Sequence, residues 1–383
     1  MEFDEVIELR KKVTILVNDL DSGGAERVVS VLLNMLYNRY DITLCMMHDI
    51  IFYDIPSDIK IKIVGNSKLS DNGLIKLLKL PLVAWRFKRL NQDADISISF
   101  LSRSNYINIL AKLFGMGGKI VVSERSMPSL QYGNSLQGVI NRGLIKLLYN
   151  RADIVFANSK GNARDLENSF NIKDVKVVYN IFNIDRIVNL SKRYAILDSS
   201  RFNFITIGRL DEGKNHKLLI EAIKEVNANL YIIGDGILKE ELEEHIINLE
   251  LEDRVFLLGK QKNPYKYISK ANCFLFASKR EGFPNVLVEA LACKLPIIST
   301  DCKSGPREIL APDSDITCQL KDKVEVANYG ILTPINSKDK MVEAMGVIQN
   351  SQKLRESYIK KSLKRAMEFN KDKIIDEFIK IIE

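Results

Sequence analysis

Short apolar runs alternate with helical patterns along this 383-residue chain, and that alternation leaves few folds open. In the first half, strands are predicted at Val13–Val17, Ile42–Met46, Ile59–Val64, Ile96–Phe100, Lys119–Ser123, Ile154–Ala157 and Val175–Tyr179. In the second half they fall at Phe204–Ile207, Leu230–Ile233, Val255–Leu258, Cys273–Phe276, Pro296–Thr300 and Tyr329–Leu332. Short apolar strands separated by helices imply parallel sheets with both faces covered. The length exceeds what one core usually serves. The expectation is an α/β protein of two facing, doubly wound, Rossmann-like domains with a cleft between them. The polar stretch Asn183–Arg201 reads as the linker, giving domains 1–190 and 200–364.

In open α/β sheets, ligands bind beyond the carboxyl ends of the strands. Several distinctive turns fall there: Gly23-Gly24, Gly208-Arg209, Gly234-Asp235-Gly236, Gly259-Lys260 and the loop at Glu281. The segment Ala277–Ile309 is the richest. Seven residues separate Glu281 from Glu289; Gly282-Phe283-Pro284-Asn285 follows the first, and an apolar helix carries the second. Pro284 suits the first turn of that helix, and Leu295-Pro296 stops it. Helix-start N–H groups can hold an anion, while nearby carboxylates can accept from hydroxyls. A site for both phosphate and polyol suits a nucleotide-sugar. Taken singly, each glutamate also fits an ordinary solvated position.

This segment resembles the E-x7-E region of the retaining glycosyltransferases of the large fourth family, which have the GT-B fold. The resemblance extends to Ser304-Gly305-Pro306-Arg307-Glu308, to Gly208-Arg209-Leu210-Asp211-Glu212-Gly213-Lys214-Asn215, and to Ser22-Gly23-Gly24-Ala25-Glu26-Arg27. These motifs span most of the chain in the family's order. The resemblance implies that Arg209 and Lys214 bind the donor diphosphate, Glu281 the donor-sugar hydroxyls and Glu289 the ribose. It implies that the backbone from Gly282 through Phe283, Pro284 and Asn285 to Val286 lies along sugar and phosphate, one N–H being absent at Pro284. Gly234, Asp235 and Gly236, with Lys260, would floor the base and ribose; Gly23 and Gly24 would approach phosphate or acceptor. It also implies that the last helix, within 365–383, returns to the first domain.

Many relatives carry a first-domain His near the acceptor. Here His48 fits no such position, and Ser123-Glu124-Arg125 stands where that His is often found. Glu124 and Arg125 are acceptor-orienting candidates. Arg103 and Asn105, read as loop residues after a strand, are weaker ones. No general base is assigned; same-face attack, with the leaving phosphate oxygen taking the proton, would retain configuration.

A transfer of this kind builds negative charge on the leaving diphosphate. Fixed cations are expected to meet it, with no metal and no cofactor beyond the nucleotide-sugar. Asp19-Leu20-Asp21 and Asp93-Ala94-Asp95 are read as turn and cap sequences, not as metal ligands. UDP is the first expectation for the nucleotide, with GDP open.

The formal net charge of +7 is unevenly spread. Leu74–Leu90 holds Lys76, Lys79, Arg86, Lys88, Arg89 and the single Trp85 without an acid, and Leu136–Arg151 is similarly basic and apolar. Such helices suit an anionic membrane surface, or else a core helix with a solvated basic face. Nucleic acid is not expected, since no zinc spacing or aromatic-interleaved basic strand occurs. Five scattered cysteines without a C-x-x-C pair point to a reducing compartment. The acidic start Met1–Glu5 is no signal peptide, and no apolar run is long enough to span a bilayer.

The reading is therefore a cytoplasmic transferase on the inner face of the membrane. It would move a hexose or N-acetylhexosamine to a lipid-linked surface-glycan precursor. The alternatives are a dinucleotide-dependent oxidoreductase and an inactive nucleotide-binding subunit. Against the first, Gly234-Asp235-Gly236 is followed by Lys239 where a third glycine is needed. Against the second, Arg209, Lys214, Glu281 and Glu289 occur together.

Overall fold

A computed structural model describes residues 10–21, 23–65 and 72–383. The start Met1–Glu5 and Ser22 of the glycine motif lie outside the described residues. The chain divides into two compact units. One runs through Asn158 and adds Asn162–Ile181 and Ile374–Glu383; the other holds Ser159–Gly161 and Phe182–Lys373.

The first unit is built on β1 (Lys12–Val17), β2 (Asp41–Met46), β3 (Lys60–Ile63), β4 (Ile96–Phe100), β5 (Lys119–Glu124), β6 (Ile154–Ala157) and β7 (Lys176–Val177). The order is β3-β2-β1-β4-β5-β6-β7, parallel throughout. Side chains alternate across β1: Val13, Ile15 and Val17 join one core layer, and Leu16 the other. The first layer is closed by the helix Gly24–Leu36 and by Ile374, Ile375, Phe378 and Ile382 of the final helix Lys371–Ile382. Phe378 meets Phe156 of β6 edge to face at 5.8 Å. The second layer takes Leu80, Val83, Ala84 and Phe87 from the helix Leu80–Leu90, together with residues of Ser102–Leu113 and Leu136–Leu148.

The second unit repeats the plan with β8 (Phe202–Ile207), β9 (Ala228–Ile233), β10 (Val255–Gly259), β11 (Cys273–Phe276), β12 (Ile297–Thr300), β13 (Glu325–Val326) and β14 (Ile331–Thr333). Its order is β10-β9-β8-β11-β12-β14-β13, with only β13 antiparallel among the described strands. Strand order therefore reverses between β8 and β11, as it does between β1 and β4 in the first unit. At such a reversal the two connections leave in opposite directions and open a crevice at the carboxyl edge.

The stretch expected to be a linker begins with a helix. Ile184–Ser191 forms a helix capped by Asn183, whose Oδ1 accepts from Arg186 N at 3.0 Å. Ile184 and Ile187 are buried, and the helix belongs to the second unit. Its polar composition reflects a face turned to water rather than an unstructured tether.

Candidate active site

The loops after β8 and β11 flank the strand-order reversal of the second unit, and Arg209, Lys214 and Glu281 stand on them. Backbone contacts fix the first loop. Gly208 N donates to Ile233 O and Leu210 N to Asp235 O, each at 3.0 Å. This close approach requires glycine in the β9 loop. A Cβ at Gly234 would stand 1.9 Å from Gly208 O, and one at Gly236 2.5 Å from Leu210 O. Gly234 also has φ +153°, which side chains resist. Asp211 Oδ1 accepts from Gly213 N at 2.9 Å and Lys214 N at 3.0 Å, turning the chain back.

The turn separates the two cations. The Arg209 side chain is 82% exposed, its Nε 3.3 Å from Asp211 Oδ2. Lys214 instead folds inward, with Nζ 2.5 Å from Glu281 Oε1 and above the Phe276 ring. Lys279 N donates to Gly213 O at 2.9 Å, which pins the β11 loop to the β8 loop. Arg209, Lys214 and Glu281 thus share one edge.

Beyond Glu281, Ser304 Oγ donates to Gly282 O at 2.6 Å, and Gly305 takes φ +90° where a Cβ would strike Pro284. Pro284 caps the helix Asn285–Ala292 one position before its first turn. The helix ends at Cys293 and Lys294, ahead of Leu295-Pro296. Phe283 is buried and meets Phe369 at 5.4 Å, so its side chain is a packing residue. Asn285 and Val286 are half-buried at the helix start. Glu289 is 3% exposed, which removes the solvated-position alternative for this carboxylate. Asp235 and Lys260 are exposed, and Asp235 Oδ1 accepts from Gly236 N at 2.9 Å.

In the first unit, Gly23 caps the helix that begins at Gly24. The Glu26 side chain folds back over Gly23, and burial pushes its carboxyl above the usual range. Arg103 and Asn105 are in the first turn of Ser102–Leu113 rather than on a loop. Asn105 is fully buried. It accepts from Ser99 Oγ at 2.8 Å and donates to Ser123 O at 2.9 Å and to Tyr149 Oη at 3.0 Å. Glu124 is fully buried too, accepting from Ser102 Oγ (3.0 Å), Tyr149 Oη (2.7 Å), Ser126 Oγ (2.9 Å) and Arg125 N (3.0 Å). Both groups bond within the fold and hold the β5 turn. Burial raises the Glu124 carboxyl above its ordinary range. Arg125 is buried as well, bonded to Asn180 and 3.3 Å from Ser123 Oγ, and burial lowers its guanidinium to about 10.

Both Asp-x-Asp sequences have structural work. Asp19 Oδ1 accepts from Asp21 N at 3.2 Å. Asp93 meets Lys12 Nζ at 2.6 Å, and Asp95 accepts from Lys12 N at 2.8 Å, at the amino end of β4. Among the described residues, no group of three His, Cys, Asp or Glu is arranged to hold a metal ion.

Two contributors were not singled out from the sequence. Asp211 carries a readable signal, an Asx residue two before glycine. His216, buried at the start of the helix His216–Ile223, gives none, because its partner is a carbonyl on the loop before it.

The family described as Glycosyltransferase Family 4 matches residues 22–186, and that described as Glycosyl transferases group 1 matches residues 192–365. An N-acetylgalactosamine-N,N'-diacetylbacillosaminyl-diphospho-undecaprenol 4-alpha-N-acetylgalactosaminyltransferase of Campylobacter jejuni is 38% identical over 379 residues, covering 97% of this chain and 99% of its own. The fold is similar to that of sucrose-phosphate synthase from Thermosynechococcus elongatus, with TM-score 0.80, 16% identity and coverage of 97% and 98%. It is also similar to Anabaena HepE in complex with UDP and glucose, with TM-score 0.77, 17% identity and coverage of 97% and 99%. The oxidoreductase alternative is not favoured by any of these. With two doubly wound units, and a 38% identical relative matched end to end, this chain belongs to the GT-B glycosyltransferases of family 4.

Proposed function

We propose that this glycosyltransferase moves a hexose or N-acetylhexosamine from a UDP-sugar to a lipid-linked glycan precursor, with retention and without a metal. The observation that carries the reading is the convergence of Arg209, Lys214 and Glu281 at the strand-order reversal of the second unit. The acceptor oxygen forms its bond to the anomeric carbon as the bond to the diphosphate oxygen breaks. Negative charge then grows on the diphosphate, where Arg209 and Lys214 meet it. The acceptor's proton passes to the departing phosphate oxygen on the same face, which retains configuration. Glu281 holds sugar hydroxyls and Glu289 the ribose, with the N-terminus of Asn285–Ala292 beside the phosphates. The activity named for the Campylobacter jejuni relative supports an N-acetylhexosamine as the sugar and a diphospho-lipid glycan as the acceptor. Purified protein offered a panel of UDP- and GDP-sugars with short diphospho-lipid acceptors should form an α-linked product from one UDP-sugar. A GDP-sugar preference, or a product of inverted configuration, would overturn the reading.

An anionic membrane surface is the proposed partner of the first unit. Among the described residues, no helix is long and apolar enough to cross a membrane. The basic stretch forms two helices, Gly73–Leu78 and Leu80–Leu90, broken at Lys79 with Pro81 in the second helix's first turn. Leu78 is 82% exposed and Trp85 47%, with Arg89 stacked 4.8 Å from the indole. Gly73 adjoins Gln137 on the second basic helix, where Leu136 is 67% exposed. Apolar side chains facing water beside cations, with no acid in either stretch, suit the inner leaflet, where the lipid-borne acceptor would be met.

A further inference from the structure

His216 directly follows the Gly208–Asn215 segment, is 3% exposed and sits against the loop that carries both proposed diphosphate cations. Its Nε2 is 3.2 Å from Arg209 O. A carbonyl can only accept, so the ring carries its proton on Nε2. Nδ1 then bears the lone pair, and it is buried without a hydrogen-bond partner. A buried polar atom of this kind calls for a reason to keep the ring. Gly208 is wedged beside it: a Cβ there would lie 3.3 Å from both His216 Nε2 and Lys214 Cγ. Asn215, between Lys214 and His216, takes the left-handed conformation at φ 55°, so the chain turns sharply to bring the ring back under Arg209.

The loop is fastened from several sides, Lys279 N holding Gly213 O among them. Asp211 closes the Gly213–Lys214 turn from within, Asp235 O holds Leu210 N from the β9 loop, and His216 holds Arg209 O from the helix below. Arg209 O also accepts from Asp211 N at 2.9 Å within the loop, so His216 is the side chain that ties this carbonyl to the helix below. We propose that His216 is a positioning residue for sugar transfer, its Nε2–H fixing the Arg209 carbonyl so that Arg209 and Lys214 are aimed before the diphosphate departs. Preset charges need no reorganisation during the reaction, whereas a loose loop would lose part of that advantage. The assignment rests on the reading of Arg209 and Lys214 as the diphosphate cations.

His216→Phe keeps a ring of similar size and removes the donor, while His216→Gln returns an N–H at about the reach of Nε2. Two measurements separate the loop from the chemistry: hydrogen exchange at the amides of Leu210, Gly213 and Lys214 in the ligand-free protein, and turnover with a UDP-sugar. The Phe variant should exchange faster at those amides and lose roughly tenfold to a hundredfold in kcat, with little change in donor KM. The Gln variant should recover most of both, and His216→Leu serves if Phe does not fold. Unchanged exchange in the Phe variant overturns the proposal, and so does a Gln variant no better than Phe. Faster exchange with full turnover also overturns it, and in that case Arg209→Ala and Lys214→Ala should be active too, tracing the failure to the reading of the cations.

Discussion

Lys214 Nζ and Glu281 Oε1 lie 2.5 Å apart, joining two loops that are 67 residues apart in sequence. Both side chains are largely withdrawn from water, at 25% and 11% exposure, so the pair is screened less than a surface ion pair. The residues proposed for the two ends of the donor therefore satisfy each other until the donor arrives. Diphosphate would draw Lys214 away, leaving the Glu281 carboxylate for sugar hydroxyls. Glu281→Ala should abolish transfer while UDP affinity stays unchanged or tightens, because Lys214 is released for phosphate. Glu289→Ala should weaken UDP itself. Calorimetric titration of both variants with UDP checks this, and an equal loss in the two would refute the division of roles.

The cations should act on turnover. Arg209→Ala and Lys214→Ala should each lower kcat by roughly a hundredfold or more, the scale of losing one preorganised electrostatic contact. EDTA should leave the rate nearly intact. Loss of activity in EDTA, with recovery on adding manganese, would defeat the metal-free mechanism.

Burial, followed by the nearby Lys214 charge, lowers His216 from an ordinary value near 6.5 to about 4. Between those values the unfolded chain binds a proton that the folded chain does not, so stability falls as pH falls. The loss should begin below about pH 6.5, level off near pH 4 and amount to about 3 kcal/mol. Urea unfolding across that window should show a steeper acid slope for wild type than for His216→Gln. Equal slopes would mean that the ring is free to titrate in the fold.

Much of this architecture was legible because its signals are local. The strands at Ile96–Phe100, Ile154–Ala157 and Cys273–Phe276 occur as read, since each is an apolar run closed by a break in pattern. The two residues of β13 left no pattern to read, and the polar helix Ile184–Ser191 resembled a tether because only Ile184 and Ile187 face inward. In the site, Glu281, Arg209 and Lys214 were found through sequence motifs, but their pairing was not, since it depends on which loops flank the strand-order reversal. The internal bonding of Asn105 and Glu124 was not legible for a related reason. A polar residue near a strand's carboxyl end can face a ligand or bind its own fold, and the residue type alone does not separate the two.

Glu124 should accordingly behave as a structural carboxylate. Glu124→Ala would leave the Tyr149 and Ser102 hydroxyls and the Arg125 N–H without their acceptor inside the protein. Several buried donors left unmatched should cost about 3 kcal/mol or more. The thermal midpoint should fall by several degrees, while the acceptor KM of the folded fraction stays near wild type. A large rise in acceptor KM with an unchanged midpoint would return Glu124 to the acceptor site.

The membrane-facing reading of the first unit separates charge from shape. Each surface cation near an anionic leaflet contributes about 1 kcal/mol, and salt weakens it. Charge reversal at Lys76, Lys79 and Arg89 should release the protein from liposomes rich in anionic lipid, and raised salt should release wild type. Leu78→Ser with Trp85→Ser should weaken binding even at low salt, because those side chains stand in water and lose burial in the interface. Both sets belong to the first unit, so turnover on a short water-soluble acceptor should persist while turnover on a membrane-borne acceptor falls. Equal loss on both acceptors would assign these helices to folding. Unchanged liposome binding would remove them from membrane attachment.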